Sequence, residues 1–154
     1  MKIEHYQNRD ETEVLNIWLK ASEQAHSFAG VGFWCGLVEN MRQVYLPRAR
    51  TWVCRDGGRV VGFVCLVGEG ELAALFVAPE RQCEGIGTEL LDWVKERSKG
   101  ILTVGVYEEN ARARAFYRRG GFEEIGSRED ELTGSREYVI MIKKAEVPKN
   151  FRPL

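Results

Sequence analysis

Residues 77–87 read VAPERQCEGIG, a turn with one proline and two glycines between an apolar run and a helix-forming run. The run at 72–77 predicts a buried strand, and the run at 88–95 predicts an amphipathic helix. Such a turn presents unpaired backbone N–H groups at the positive end of the helix dipole, where a phosphate group can bind. Glycines that serve packing alone are the alternative, and the turn by itself does not distinguish the two.

The composition limits the possible classes of protein. The 154 residues fit one domain, and 44% hydrophobic with 29% charged residues is typical of soluble proteins. No run approaches the roughly 20 apolar residues of a membrane span, and no export signal is visible, so we expect a cytoplasmic protein. The net charge of −1 indicates no nucleic-acid binding. Without a C-x-x-C pair and with two histidines, no metal is expected. Cys54 and Cys65 fit small core residues of a reducing compartment.

The order of elements predicts one mixed α/β domain over residues 1–145, followed by an irregular tail at 146–154. Asp10, with Glu13 three residues later, predicts the start of the first helix by an N-cap close to a capping box. Pro47 predicts the end of the second helix, and residues 133–135 predict the turn of a closing hairpin. Strands are expected at 2–6, 51–55, 60–67, 72–77, 101–106, 122–126 and 137–142, and helices from about 10, at 32–46, at 86–98 and at 111–119.

Two motifs together carry a family resemblance. Residues 82–87 form a Q-x-x-G-x-G turn, and residues 110–122 read N-x-x-A-x-x-F-Y-x-x-x-G-F. In this order and about 25 residues apart, they resemble the GNAT superfamily of acetyl-CoA-dependent N-acetyltransferases. A further likeness, to the small bacterial single-domain branch of that family, lies in residues 18–28, 45–47 and 52–53. The resemblance implies an α/β (α+β) fold. Its central mixed sheet would be mostly antiparallel, with six or seven strands, splayed between strands 4 and 5 and flanked by about four helices.

The resemblance also implies where acetyl-CoA, the expected acetyl donor, would bind. The turn would hold the diphosphate, the fourth strand would pair with the pantetheine amides, and the last predicted helix would lie beside the thiol. The alternative for Phe116 and Tyr117 is that both are core aromatics of this helix, and core packing is the favoured interpretation of Phe116. Glu84 departs from the family, which usually has a basic or neutral residue there, so its carboxylate should point to solvent or weaken binding. The expected cofactor-binding residues are Leu75, Phe76, Val77, Gln82, Cys83, Glu84, Gly85, Ile86, Gly87, Thr88, Asn110, Ala113, Phe116 and Tyr117.

Two residues are expected to be catalytic. The family's matching tyrosine donates a proton to the departing thiolate, which assigns this role to Tyr117. A phenol (pKa about 10) can protonate a thiolate (pKa about 8.5) only within hydrogen-bond reach. Glu71 matches a place where the family carries a base acting through water, whereas Gly105 fills the matching place on the neighbouring strand. Glu69 is the second candidate, and water alone or a solvated strand-end role for Glu71 are the alternatives. A main-chain N–H near Phe76 or Val77 would polarise the thioester oxygen.

The acceptor is expected to be a primary amine, either a small molecule or a protein lysine or N-terminus. Aromatic rings and carboxylates would suit a cationic amine, although core packing is the alternative for the aromatic residues. The protein is expected to be a monomer or homodimer without nucleic-acid or membrane partners. The alternative function is a non-catalytic acyl-CoA-binding sensor of the same fold. The expected acceptor-binding residues are His26, Phe28, Phe33, Trp34 and Glu69.

Overall fold

A computed structural model describes residues 1–98 and 100–131, together with the backbone of 137–143. It contains a seven-stranded sheet in the order β1-β2-β3-β4-β5-β7-β6, in which β4 and β5 form the one parallel pair. The predicted turn at 133–135 and tail at 146–154 lie outside the described residues. The strands are β1 (Lys2–His5), β2 (Arg50–Asp56), β3 (Arg59–Val67), β4 (Glu71–Val77), β5 (Leu102–Tyr107), β6 (Glu123–Glu129) and β7 (Glu137–Lys143).

Helices cover both faces of the sheet, so each face has its own apolar core. We label the helices α1 (Glu11–Ala25), α2 (residues 35–48), α3 (Ile86–Arg97) and α4 (Ala111–Arg119). The first core cluster joins the sheet to α3 and α4, with Leu90 and Leu91 at its centre. The second joins the opposite face to α1 and α2, with Val14 and Phe63 completely buried. Mixed topology, strand number and four flanking helices confirm the predicted fold class.

The second helix is less regular than predicted. Segment α2 begins as a 3-10 turn at Cys35–Leu37, has one α-turn, widens to a π-turn at Met41–Tyr45 and ends in a turn over Leu46–Arg48. Pro47 therefore lies inside the last turn, and the prediction that it ends the helix is wrong by one residue. Because a proline ring clashes with the carbonyl four residues earlier in an α-helix, the wider π-turn lets the chain continue through it.

Asp10 directly precedes α1, but its side chain does not cap the helix. The carboxylate accepts the Gln7 N–H at 2.9 Å and pairs with Arg55 of β2 at 2.6 Å, and it is almost completely buried. Glu13 accepts the Val60 N–H at 2.8 Å instead of closing a capping box. The predicted cap is therefore wrong in its chemistry, because a long-range ion pair takes the carboxylate.

Candidate active site

A cleft opens between β4 and β5 because the two strands are paired at a single position in the described chain, Glu71 opposite Thr103. The register of β4 against β3 moves from Ala74 to Leu72 over one residue of β3, which leaves Ala73 as a bulge. A bulge bends its strand and increases its twist. The bulge lies two residues after Glu71, the position that pairs with β5. It bends β4 away from β5, so that the gap between them widens towards the carboxyl ends of both strands.

The edge of β4 that faces this cleft carries unpaired backbone groups. Ala78 donates its N–H to the Val61 carbonyl at 2.9 Å. Since the backbone groups of an antiparallel strand alternate between its two sides, those of Leu75 and Val77 point away from β3 and towards the cleft. The Gln82 side-chain amide donates to the Val77 carbonyl at 3.3 Å. The N–H of Val77, rather than that of Phe76, is therefore available at the cleft.

The turn before α3 has the backbone geometry that suits an anion. Gly85, the residue before the helix, has a left-handed φ of +86°, and nothing lies within 4 Å of where its Cβ would be. In the described part of the chain, the backbone N–H groups of Gly85 to Thr88 have no hydrogen-bond acceptor. Cys83 is also left-handed (φ +65°) and exposed. Four free N–H groups at a helix start suit a phosphate group.

The Glu84 carboxylate pairs with Arg81, three residues earlier on the same loop. The Arg81 Nε lies 3.1 and 3.0 Å from the two carboxylate oxygens, and its Nη2 lies 2.8 Å from Asp56. The carboxylate of Glu84 is therefore paired with a cation, which reduces its repulsion of a bound anion. The departure from the family sequence at Glu84 is accompanied by this arginine three residues earlier.

Helix α4 supplies the other wall. Asn110 caps it: its Oδ1 accepts the Ala113 N–H at 3.1 Å. A Cβ on Gly87 would lie 3.5 Å from the Phe116 ring and 3.8 Å from Val77, so loop, strand and helix meet there. Phe116 is both a wall of this junction and a neighbour of the core.

Tyr117 is buried between the Phe116 and Phe122 rings, at centroid distances of 5.1 and 5.3 Å. Burial raises the pKa of the Tyr117 phenol well above its ordinary value of 10. The phenol therefore stays protonated, and it makes no hydrogen bond within the described residues. It is a hydrogen-bond donor without an acceptor, held on the helix that lines the cleft.

Aromatic residues form a cluster at the open end, on the face of α1 and α2. The His26 ring lies 5.4 Å from Trp34 and 4.8 Å from Tyr107, and Phe28 lies 5.2 Å from Tyr107. The Phe33 ring packs on the outer side of Trp34 at 4.9 Å. The structure thus brings together four of the predicted acceptor-binding residues. The sequence analysis did not include Tyr107 among the acceptor-binding residues, because the predicted strand ended at 106. Side chains of neighbouring strand residues point to opposite faces, so extending the strand past Val106 would have placed Tyr107 on this face.

His26 connects this cluster to α4. Its Nε2 lies 3.0 Å from Asn110 Nδ2. Since Asn110 uses its oxygen for the Ala113 N–H, its Nδ2 is a donor, so His26 Nε2 accepts and the proton of the neutral ring is on Nδ1. Burial lowers the pKa of His26 to about 4, with Glu109 opposing the shift. The Nδ1 group is buried without a partner among the described residues.

The two candidate bases lie at the closed end of the cleft. Leu72 belongs to the core beneath α3 and α4. Because neighbouring side chains alternate between faces, Glu71 points to the opposite face, which also carries the aromatic cluster. Both Glu71 and Glu69 are exposed, the latter in the turn between β3 and β4. Glu71 is thus on the acceptor side, whereas Glu69 lies beyond the strand.

Similar proteins identify the family. A sequence model described as an acetyltransferase (GNAT) domain matches residues 47–124, half of the chain. The chain belongs to the GNAT acetyltransferase family. It is 34% identical over 109 residues to the peptidyl-lysine N-acetyltransferase YiaC of Escherichia coli K12, covering 71% of this chain and 74% of YiaC. It is 31% identical over 134 residues to YjaB of Salmonella typhimurium, a protein of the same activity, covering 86% and 90%.

A solved structure agrees with this assignment. The solution structure of apo YjaB from Escherichia coli superposes with a TM-score of 0.79 at 27% identity, covering 92% of this chain and 95% of YjaB. As a member of this family, the chain of 154 residues is itself an N-acetyltransferase, and its acetyl donor is acetyl-CoA. The open space at Gly85 and the free N–H groups of the loop fit the diphosphate of that donor.

Within the described residues, no group of three or more histidine, cysteine, aspartate or glutamate side chains is placed to hold a metal ion. No helix in the same part of the chain has the length and apolar character needed to cross a bilayer.

Proposed function

We propose that this GNAT enzyme acetylates lysine side chains of proteins. Two relatives that match most of the chain are named peptidyl-lysine N-acetyltransferases. The observation that carries the proposal is that both ends of the cleft carry an exposed carboxylate, whereas His26 and Trp34 of the aromatic cluster are themselves buried. Glu71 lies at the closed end of the cleft, and Glu108, also exposed, follows β5 at its open end. Such a surface attracts a lysine ammonium group and leaves room for the chain that carries it.

The acceptor amine must lose a proton before it attacks, because an ordinary lysine has a pKa near 10.4. Glu71 is exposed on the acceptor face, so we assign it the role of base, accepting this proton through water. Its position where β4 and β5 begin to separate places it on the rigid part of the sheet. Glu69 lies in the preceding turn, and its role is to attract the cation rather than to take its proton.

Acetyl-CoA supplies the acetyl group as a thioester. The loop from Gln82 to Thr88 binds its diphosphate with main-chain N–H groups, and the free edge at Leu75 and Val77 pairs with its pantetheine amides. The Val77 N–H is the donor available to polarise the thioester oxygen. Tyr117 donates to the sulfur as it departs, because its phenol has no competing acceptor within the described residues.

Three expectations about the setting of the enzyme belong to the same proposal. The acceptor is a protein and not a nucleic acid, consistent with the net charge of −1. All four cysteines are free thiols, which supports a reducing compartment such as the cytoplasm. The active unit is proposed to be a monomer or a homodimer.

The acceptor class is tested with a matched panel. Acetyl-CoA is offered with a lysine peptide, with the same peptide carrying arginine for lysine, and with small amines, while free thiol is followed and the acetylated atom is located by mass spectrometry. We expect acetylation of the lysine Nζ, at least about tenfold faster in kcat/KM than for small amines. Efficient turnover of small amines without turnover of the lysine peptide would overturn the assignment of a protein acceptor.

A further inference from the structure

Arg112 reaches across the cofactor cleft from α4 to the loop before α3. Its Nη1 lies 3.4 Å from Gln82 Oε1 and its Nη2 lies 3.4 Å from Cys83 Sγ. Arg112 is the second residue of α4 and is exposed, so its guanidinium can change position without disturbing the core. Both contacts are long, and neither partner is a carboxylate. They place the side chain beside the loop without neutralising its charge.

Neighbouring arginines differ from Arg112 in this respect. Arg81, on the same loop, is paired with Glu84 and Asp56. Arg114 and Arg118, on the same helix, both pair with Glu124. Arg112 has no carboxylate partner among the residues that the structure describes. Its charge is therefore available to a ligand at the loop, whereas that of Arg81 is shared with two carboxylates.

We propose that Arg112 binds a phosphate group of coenzyme A, releasing its contacts to Gln82 and Cys83. The guanidinium presents a planar fork of donors that matches two phosphate oxygens, and such charge-assisted hydrogen bonds are the strong ones. The free N–H groups of Gly85 to Thr88 approach the same anion from the loop. A phosphate held by both groups joins the two sides of the cleft, which the sheet itself connects at one β-bridge in the described chain.

The proposed role of Arg112 concerns the binding of coenzyme A alone, so its test needs no acceptor amine. Coenzyme A is titrated calorimetrically into the wild-type enzyme, Arg112→Gln, Arg112→Lys and Arg119→Gln. Arg119 is the matched control, because it is an exposed arginine of the same helix, about 10 Å further along its axis. Thermal melts of each variant establish that the fold is kept.

Arg112→Gln should weaken coenzyme A binding about 10- to 100-fold, the value of one charge-assisted hydrogen bond. Arg112→Lys, which keeps the charge and loses the fork, should lie between wild type and Arg112→Gln, and the control should stay within about twofold. Added salt should reduce the difference. Repeating the titrations with 3′-dephospho-coenzyme A identifies the phosphate: a persisting loss assigns Arg112 to the diphosphate, and a vanished loss to the 3′-phosphate.

The proposal is overturned if a folded Arg112→Gln variant binds coenzyme A within about twofold of wild type. It is equally overturned if Arg119→Gln loses as much affinity as Arg112→Gln, since the effect would then come from the general positive charge of α4. Neither result would bear on the lysine acceptor proposed above, which is measured by turnover.

Discussion

Replacing Gly70 by alanine tests how the closed end of the cleft is held. The Gly70 carbonyl accepts the Thr103 N–H at 2.8 Å, directly before the one position where β4 and β5 pair in the described chain. A Cβ on Gly70 would lie 2.0 Å from the Ile101 carbonyl oxygen, whereas real Cβ contacts are not shorter than 3.0 Å. The two strands must therefore separate by about 1 Å, the difference between these two distances.

This separation has a cost in stability and a cost in rate. Overpacking of this kind costs about 1–3 kcal/mol, and the strained Gly70–Thr103 hydrogen bond adds about 1 kcal/mol. We expect the free energy of unfolding to fall by about 2–4 kcal/mol and the Tm to fall by roughly 5–15 °C. A displacement of about 1 Å can also reduce a rate about 100-fold. The kcat should therefore fall strongly, while the Kd for coenzyme A, held mainly at the far end of the cleft, should change little.

The measurements are urea unfolding, release of free thiol and titration with coenzyme A. Gly126→Ala is the control, because Gly126 lies on β6, has nothing within 4 Å of its Cβ position and does not have a left-handed φ. That variant should stay within about 0.5 kcal/mol of wild type. If Gly70→Ala kept the wild-type Tm and kcat, the contact between Gly70 and Ile101 would not set the width of the cleft.

Three further predictions concern single side chains. Tyr117→Phe should lower kcat about 100-fold or more with unchanged coenzyme A affinity and Tm, and unaltered thiol release would show that the phenol is not the acid. The pKa of His26 is near 6.5 in the unfolded state and about 4 in the folded state, so the free energy of unfolding should fall as the pH drops from 6.5 to 4. Denaturation curves of His26→Gln at several pH values should show much less of this pH dependence. An identical pH dependence in the variant would assign it to other groups. Glu84→Lys should tighten coenzyme A binding several-fold, because a carboxylate beside the loop is replaced by a cation while Arg81 keeps its pair with Asp56. Unchanged or weaker binding in a titration would show that the side chain points away from the bound anion.

Local chemistry made much of the fold predictable. Alternating and continuous apolar runs marked the strands, and the glycines marked the turn before α3, whose binding of the cofactor stays a prediction. Asn110 caps α4, and asparagine directly before a helix is a common N-cap. The aromatic residues of the acceptor side do lie together, in agreement with the family resemblance. These features depend on residues close to one another in the sequence, where propensity and spacing are informative.

Tertiary contacts determined the features that could not be predicted. Nothing in the apolar run of β4 distinguishes Ala73 as the bulge, because a bulge depends on the register against β3. Asp10 had the local pattern of a cap, but Arg55, 45 residues away, takes its carboxylate. The availability of Arg112 follows from the pairing of its neighbours with Glu124 and Glu84, which no local pattern reveals.

The two hydrogen bonds of the Asn110 side chain have a consequence for the order of substrate binding. Its oxygen caps the helix that carries Tyr117, and its nitrogen bonds His26 in the aromatic cluster. Bound acetyl-CoA that orders the Asn110 amide also orders the acceptor side, and such coupling between two binding sites is reciprocal in free energy. We therefore expect positive cooperativity between the two substrates, with acetyl-CoA entering first in an ordered kinetic mechanism, and with Asn110→Ala making their binding independent.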